Sequence, residues 1–378
     1  MLGISHFIEH MFFKGTQKRS TKEIAQTLDR VGGYLNGFTT KEYMSLNARI
    51  LDEHLNIALD LLSDMFLNSI FDSKEIEKEK KVIIEEIKMY EDNPEELITD
   101  LFIQTIFKDS SLGQPILGNK NNILHFTKDN LISFMKKIHS GENFLITASG
   151  NLNHNDIVKF ANKTFSSLKN TSFSSLPIFF KKPKIIIKNK KLEQFHLCLG
   201  IKTIPYVHPD RFVLSILNIV LGSGMSSRLF QKIREEKGLA YSIYSFLESY
   251  KTDGTLGIYA GTSKKSLNQV IKLILKEINL IKKEGISCDE LKIAKEQLKG
   301  HIMLSMESIN VRMKRLANAE IYFNNYFTLN EIIERINKIS QEDILRIAEE
   351  LIKKENFKIC AIGPNISKII SKNIINEK

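Results

Sequence analysis

"DSKEIEKEKKVIIEEIKM" (72–89) returns in altered form as "SCDELKIAKEQLKGHIML" (287–304), and that return decides the fold. A shift of 215 residues carries Ser73 onto Cys288. The first copy opens on a capping-type "DSKE" and runs as one long helix over 73–91, with Ile76, Ile83, Ile87 and Tyr90 as its buried stripe. Neighbouring segments repeat in the same order. "DEHLNIALDLLSDMFLN" (52–68), apolar at helical spacing, is matched by "SLNQVIKLILKEINLI" (266–281). "GGYLNGFTTKEYMSLNARI" (32–50) alternates and carries turn residues, so it reads as two short strands, matched by "LAYSIYSFLESYKTDGTLGIYAG" (239–261). "PDRFVLSILNIVLGSG" (209–224) takes the place of a first helix near the N-terminus.

Residues 20–32 read as a helix capped by Ser20 or Thr21, with Ile24, Leu28 and Val31 on one face. "ENFLITASGNL" (142–152) reads as a buried strand ending in a glycine turn. The expected fold class is therefore α+β: two homologous domains from an internal duplication, each an antiparallel-rich mixed sheet with helices packed on one face. Expected bounds are 1–165 for the first domain, a Ser- and Lys-rich linker over 166–191, and 192–378 for the second.

Composition narrows the classes. A chain of 378 residues with 42% hydrophobic and 26% charged residues has room for two globular cores. Its three cysteines (Cys198, Cys288 and Cys360) are far apart and in no C-x-x-C spacing, which argues against a disulfide framework or a zinc–thiolate site. No apolar run approaches the ~20 residues that span a bilayer. The start lacks the basic and apolar regions of a signal peptide. The expected location is cytoplasmic, or an organellar matrix if an N-terminal segment is missing. The net charge of +10 invites a nucleic-acid partner, but the lysines alternate with glutamates, as in "KEIEKEKK" (74–81). That is the pattern of a solvated helix face, so neither nucleic acid nor membrane is expected as a partner.

"SHFIEHMFFKGT" (5–16) carries the chemistry. On a helix each residue advances about 100°, so His10 falls about 40° from His6 and Glu9 about 60° to the other side. All three project into one arc, either as two ligands and a base at a metal ion or as polar residues on a wet helix edge. Imidazole is a common zinc ligand, and a neighbouring carboxylate can take a proton from activated water. A catalytic zinc also needs a third protein ligand. On the 73–91 helix, Glu79 and Glu86 lie together at the border of the buried stripe, while Glu85 points to solvent. A histidine on a helix edge or a lysine/glutamate-rich helix is commonly structural. The two motifs together favour a metal.

These motifs resemble the inverzincin zinc metallopeptidases of the pitrilysin and mitochondrial processing peptidase family, in particular its small two-domain bacterial members. "GISHFIEHMFFKGT" (3–16), "GGYLNGFTTKEY" (32–43), "VIIEEIKMYEDNP" (82–94), "GQPILGN" (113–119) and "GSGMSSRLFQKIREEKGLAYSIYS" (222–245) carry the resemblance through nearly the whole chain. It implies a zinc metalloendopeptidase with one Zn2+ per chain, held by His6, His10 and Glu86. Glu9 would be the general base toward zinc-activated water, and Glu79 a supporting residue behind the ligands. Arg234 and Tyr241, seven apart, would bind substrate and stabilise the oxyanion. Asn36 would lie on an edge strand that pins an extended peptide by β-addition. Substrates would be extended peptides, processing segments or unfolded polypeptide, and the chain would pair as a homodimer or with a related subunit.

The second half lacks an H-x-x-E-H, and its His301 falls on the position of Glu86. Family members carry about forty residues ahead of the motif helix, forming a strand pair. The counterpart of that pair in the second half is "KIIIKNKKLEQFHLCLGIKTI" (184–204), so the first domain is expected to be N-terminally incomplete and less stable than a longer form. The alternative function is a non-catalytic or inactive truncated subunit of a peptidase-like complex.

Overall fold

Amphipathic spacing yields helices wherever the stripe is long, as a computed structural model of the chain shows for residues 1–108, 110–168 and 185–366. In chain order the elements begin α1 (Ile4–Phe12), α2 (Thr21–Asp29), β1 (Tyr34–Thr39), β2 (Met44–Arg49), α3 (Leu55–Asn68), α4 (Ser73–Asp92) and α5 (Pro94–Ile106). They continue with α6 (Lys120–His125), α7 (Lys128–Ile138), α8 (His154–Phe165), β3 (Ile185–Asn189), β4 (Phe195–Thr203) and α9 (Arg211–Gly222). The remainder are β5 (Ala240–Ser249), β6 (Gly254–Thr262), α10 (Leu267–Glu284), α11 (Cys288–Ser305), α12 (Ile309–Asn318), α13 (Leu329–Lys338), α14 (Gln341–Leu351) and β7 (Lys358–Gly363). The fold is α+β and duplicated: α1, β1–β2, α3 and α4 recur in order as α9, β5–β6, α10 and α11. No helix among the described residues is long and apolar enough to cross a membrane.

The chain divides into two units built from discontinuous segments. The first comprises Met1–Glu91, Ser110–Ile178 and Ser308–Ala317; the second comprises Asp92–Asp109, Phe179–Glu307 and Asn318–Lys378. α5, from the first half of the sequence, thus belongs to the second unit. Most of the expected 166–191 linker lies outside the described residues.

In the first unit the core gathers Phe7, Ile8, Met11 and Phe12 of α1, Ile24 and Leu28 of α2, Leu61 and Met65 of α3, and Ile76 and Ile83 of α4. Leu35, Leu46 and Ala48 close it from the β1–β2 ribbon. Ser20 caps α2 in a reciprocal capping box with Glu23. Gly3 opens α1 at φ 86°, and a Cβ there would lie 2.7 Å from the Leu117 carbonyl, so only glycine fits.

The second unit holds a five-stranded sheet in the order β3-β7-β4-β6-β5, antiparallel except for the β3–β7 pair. Leu197, Leu199 and Ile201 of β4 alternate inward to a core shared with α9, α10 and α14. On the opposite face Tyr244 donates to Glu95 of α5 at 2.6 Å, and Phe102 of α5 meets Phe246 edge-on.

One expected element is absent. Residues 144–149 form no ladder and are not buried. The shift of 215 residues places them over β7, which is held between β3 and β4. The first unit offers no described strand equivalent to β3 or β4, so this apolar run has nothing to pair with.

Candidate metal centre

α1 and α4 meet so that His6, His10 and Glu86 converge. One ligand-type atom from each lies within 4.8 Å of the others, and no other such group of three His, Cys, Asp or Glu side chains occurs among the described residues. Glu86 Oε1 lies 3.6 Å from His6 Nε2, and Glu86 Oε2 lies 3.7 Å from His10 Nε2. Ligands about 2.0–2.1 Å from a tetrahedral zinc sit roughly 3.3 Å apart, so each histidine–Glu86 approach is within a few tenths of an ångström of that spacing, while the set of three, spread over as much as 4.8 Å, closes further around an ion. Glu86 Oε2 and His6 Nδ1 are both buried without a hydrogen-bond partner among the described residues. A cation at this point would engage that carboxylate oxygen, and two imidazoles with one carboxylate suit zinc.

Burial sets the electrostatics. His6 is 7% exposed, and burial, assisted by the nearby His10, lowers its pKa to about 4. The imidazole is therefore neutral, as a metal ligand must be. Burial raises the pKa of Glu9 from its ordinary value, with Glu86 adding to it while Thr39 and His10 oppose it. Glu86 is also raised, first by burial and then by Glu79.

Glu79 sits behind His10. Its Oε2 lies 3.0 Å from His10 Nδ1, and its Oε1 lies 2.6 Å from Lys14 Nζ. Burial would raise this carboxylate, but the bonds from His10 and Lys14 hold it below its ordinary value. With Nδ1–H donating to Glu79, the Nε2 lone pair of His10 is left facing Glu86. Glu85, 67% exposed, pairs with Lys88.

The β1 strand supplies contacts that helix geometry alone does not reveal. Thr39 Oγ1 donates to Glu9 Oε2 at 2.5 Å. Two residues earlier on the same face, Gly37 presses on the same side chain, since a Cβ there would lie 3.1 Å from Glu9 Cγ. Period-2 alternation through Leu35, Gly37 and Thr39 is the sequence signal for this face, but it requires knowing that β1 lies against α1. Asn36, on the alternate side, is exposed, and β1 has β2 as its only described strand neighbour.

Arg234 and Tyr241 come together in the second unit. Arg234 lies in the last turn of a π-helical segment (Phe230–Glu235), with its guanidinium 4.8 Å from the Phe230 ring centre and 5.7 Å from that of Tyr241. Among the described residues the carboxylate that comes within 4 Å of it is Glu235, at 3.9 Å. Tyr241 is the extra residue of a β-bulge between Ala240 and Ser242, which turns it outward to 76% exposure.

Residues 1–120 match the family described as Insulinase (Peptidase family M16), and residues 125–298 match the Peptidase M16 inactive domain. The chain is 42% identical to a Bacillus subtilis protein named uncharacterized zinc protease YmxG, over 96% of this chain and 88% of that one. It is 38% identical to an uncharacterized zinc protease of Rickettsia felis, with the same coverage. A crystal structure of a protease from Helicobacter pylori superposes with a TM-score of 0.87 at 23% identity, over 96% of this chain and 90% of that one. Matches to the family over both halves and relatives this similar along nearly their whole length lead to one conclusion: the chain belongs to peptidase family M16.

Proposed function

We propose that the chain is a zinc-dependent metalloendopeptidase that hydrolyses peptide bonds in extended peptides or processing segments. The convergence of His6, His10 and Glu86 beside a Glu9 fixed by Thr39 carries this reading. The names of the relatives, zinc proteases, support it.

His6, His10 and Glu86 would hold one Zn2+ per chain. When bound, zinc supplies Lewis-acid activation of a water molecule and of the scissile carbonyl. Glu9 is the general base. Thr39 occupies its Oε2, so Oε1 takes the proton from the attacking water and returns it to the leaving amine. Glu79 keeps His10 in its ligating tautomer. Asn36 marks the β1 edge on which the peptide backbone is held, Arg234 and Tyr241 donate to the substrate and the developing oxyanion, and the chain acts as a homodimer or with a related subunit.

The test is cleavage of a quenched fluorescent peptide library by wild type and Glu9→Gln. Loss of general-base catalysis predicts a fall in kcat of about 10²–10⁴-fold, with chelator abolishing the wild-type rate. Full activity in Glu9→Gln rejects the mechanism.

A further inference from the structure

Among the lysine–carboxylate pairs that α4 makes in the described residues, Lys14–Glu79 has the most buried carboxylate. Lys78–Glu75 and Lys88–Glu85 lie in solvent, where such pairs contribute little. Lys14–Glu79 is different: the Glu79 side chain is 4% exposed, and Lys14 Nζ approaches it to 2.6 Å. The position of Lys14 is also fixed. Its backbone N–H donates to the Met11 carbonyl at the end of α1. The turn that follows is pinned to α3 by Thr16 Oγ1 donating to Asp64 at 2.7 Å and Gln17 N–H donating to the Asn68 carbonyl at 3.0 Å.

We propose that Lys14 is a positioning residue for the metal centre: its ammonium anchors Glu79, which orients the ring and tautomer of His10. The inference rests on the zinc reading above. Glu79 has two oxygens and two partners, Lys14 on Oε1 and His10 Nδ1 on Oε2. Without the ammonium, an enclosed carboxylate keeps only the imidazole and can rotate toward other donors. His10 then loses the acceptor that directs Nε2 toward Glu86.

Through-space charge predicts the opposite outcome. An ammonium near a cation site repels the ion, so deleting it as a bare charge tightens zinc binding, whereas deleting it as an anchor weakens binding.

The experiment titrates metal-free protein with Zn2+ against a chromophoric chelator, with circular dichroism to establish folding. Lys14→Met is expected to raise the zinc Kd about tenfold, the usual scale for residues that orient ligands, and Lys14→Arg to recover most of the loss. Lys14→Gln is read in parallel and carries the test if Lys14→Met does not fold. In a Glu79→Gln background, Lys14→Met should add nothing, because the two act as one unit. An unchanged or tighter Kd in the Lys14 variants, or additive effects in the double variant, overturns the proposal. If wild type takes up no zinc, or His10→Ala binds it equally well, the zinc reading itself fails instead.

Discussion

The Thr39 hydroxyl donates to Glu9 Oε2 at 2.5 Å, tying a residue of the first strand to the acidic residue of the first helix. If Glu9 is the base, Thr39→Val should lower kcat on the order of tenfold while zinc content and KM hold, with Thr39→Ser restoring most of the rate. Gly37→Ala, which forces a methyl against Glu9 Cγ, should act in the same direction. Steady-state kinetics beside metal analysis checks both. Parallel loss of zinc and rate would assign the two residues to folding alone.

α4 separates core from surface within two residues. Ile83 is fully buried and Glu85 is 67% exposed. Ile83→Ala should cost about 2–5 kcal/mol, whereas Glu85→Ala should stay within about 0.5 kcal/mol. Denaturant titration of the two variants measures this. Similar costs would mean that the helix is rotated from the orientation described.

Acid should destabilise the metal-free protein through His6. Its folded pKa is depressed from 6.5 to about 4, so the unfolded chain binds the proton first. Stability from this group is complete above pH 6.5 and is lost as pH falls toward 4, with a total on the order of 3 kcal/mol. Melting curves across that window should lose part of their pH dependence in His6→Gln. An identical slope in wild type and variant would show that His6 is not held neutral by the fold.

Among the described residues, 144–149 have no strand partner and β2 has only β1, where β4 joins the corresponding β7 and β6 in the second unit. The amides of 144–149 should therefore exchange orders of magnitude faster than those of β7 in native-state hydrogen exchange. Protection at 144–149 equal to that of β7 would show that this run is paired in the native state.

The duplication and the helices of the candidate site were legible because both rest on local periodicity. The stripe of Ile76, Ile83 and Ile87 orients α4 without knowledge of its neighbours, and so sets Glu79 and Glu86 beside the core. Thr39, Gly37 and Lys14 were not legible, since their roles depend on which strand and turn meet α1 and α4. "FLITAS" (144–149) misled for a related reason. Its apolar pattern records a capacity to form a strand, while the ladder depends on a partner segment. The placement of α5 on the second sheet was equally hidden, because it rests on contacts such as Phe102 against Phe246, far apart in sequence, rather than on local periodicity.

Zinc stoichiometry tests the central claim most directly. Elemental analysis of purified wild type, Glu9→Gln and Glu86→Gln should give about one zinc per chain in the first two and a small fraction in the third. Wild type without zinc, or Glu86→Gln retaining as much as wild type, would contradict the account.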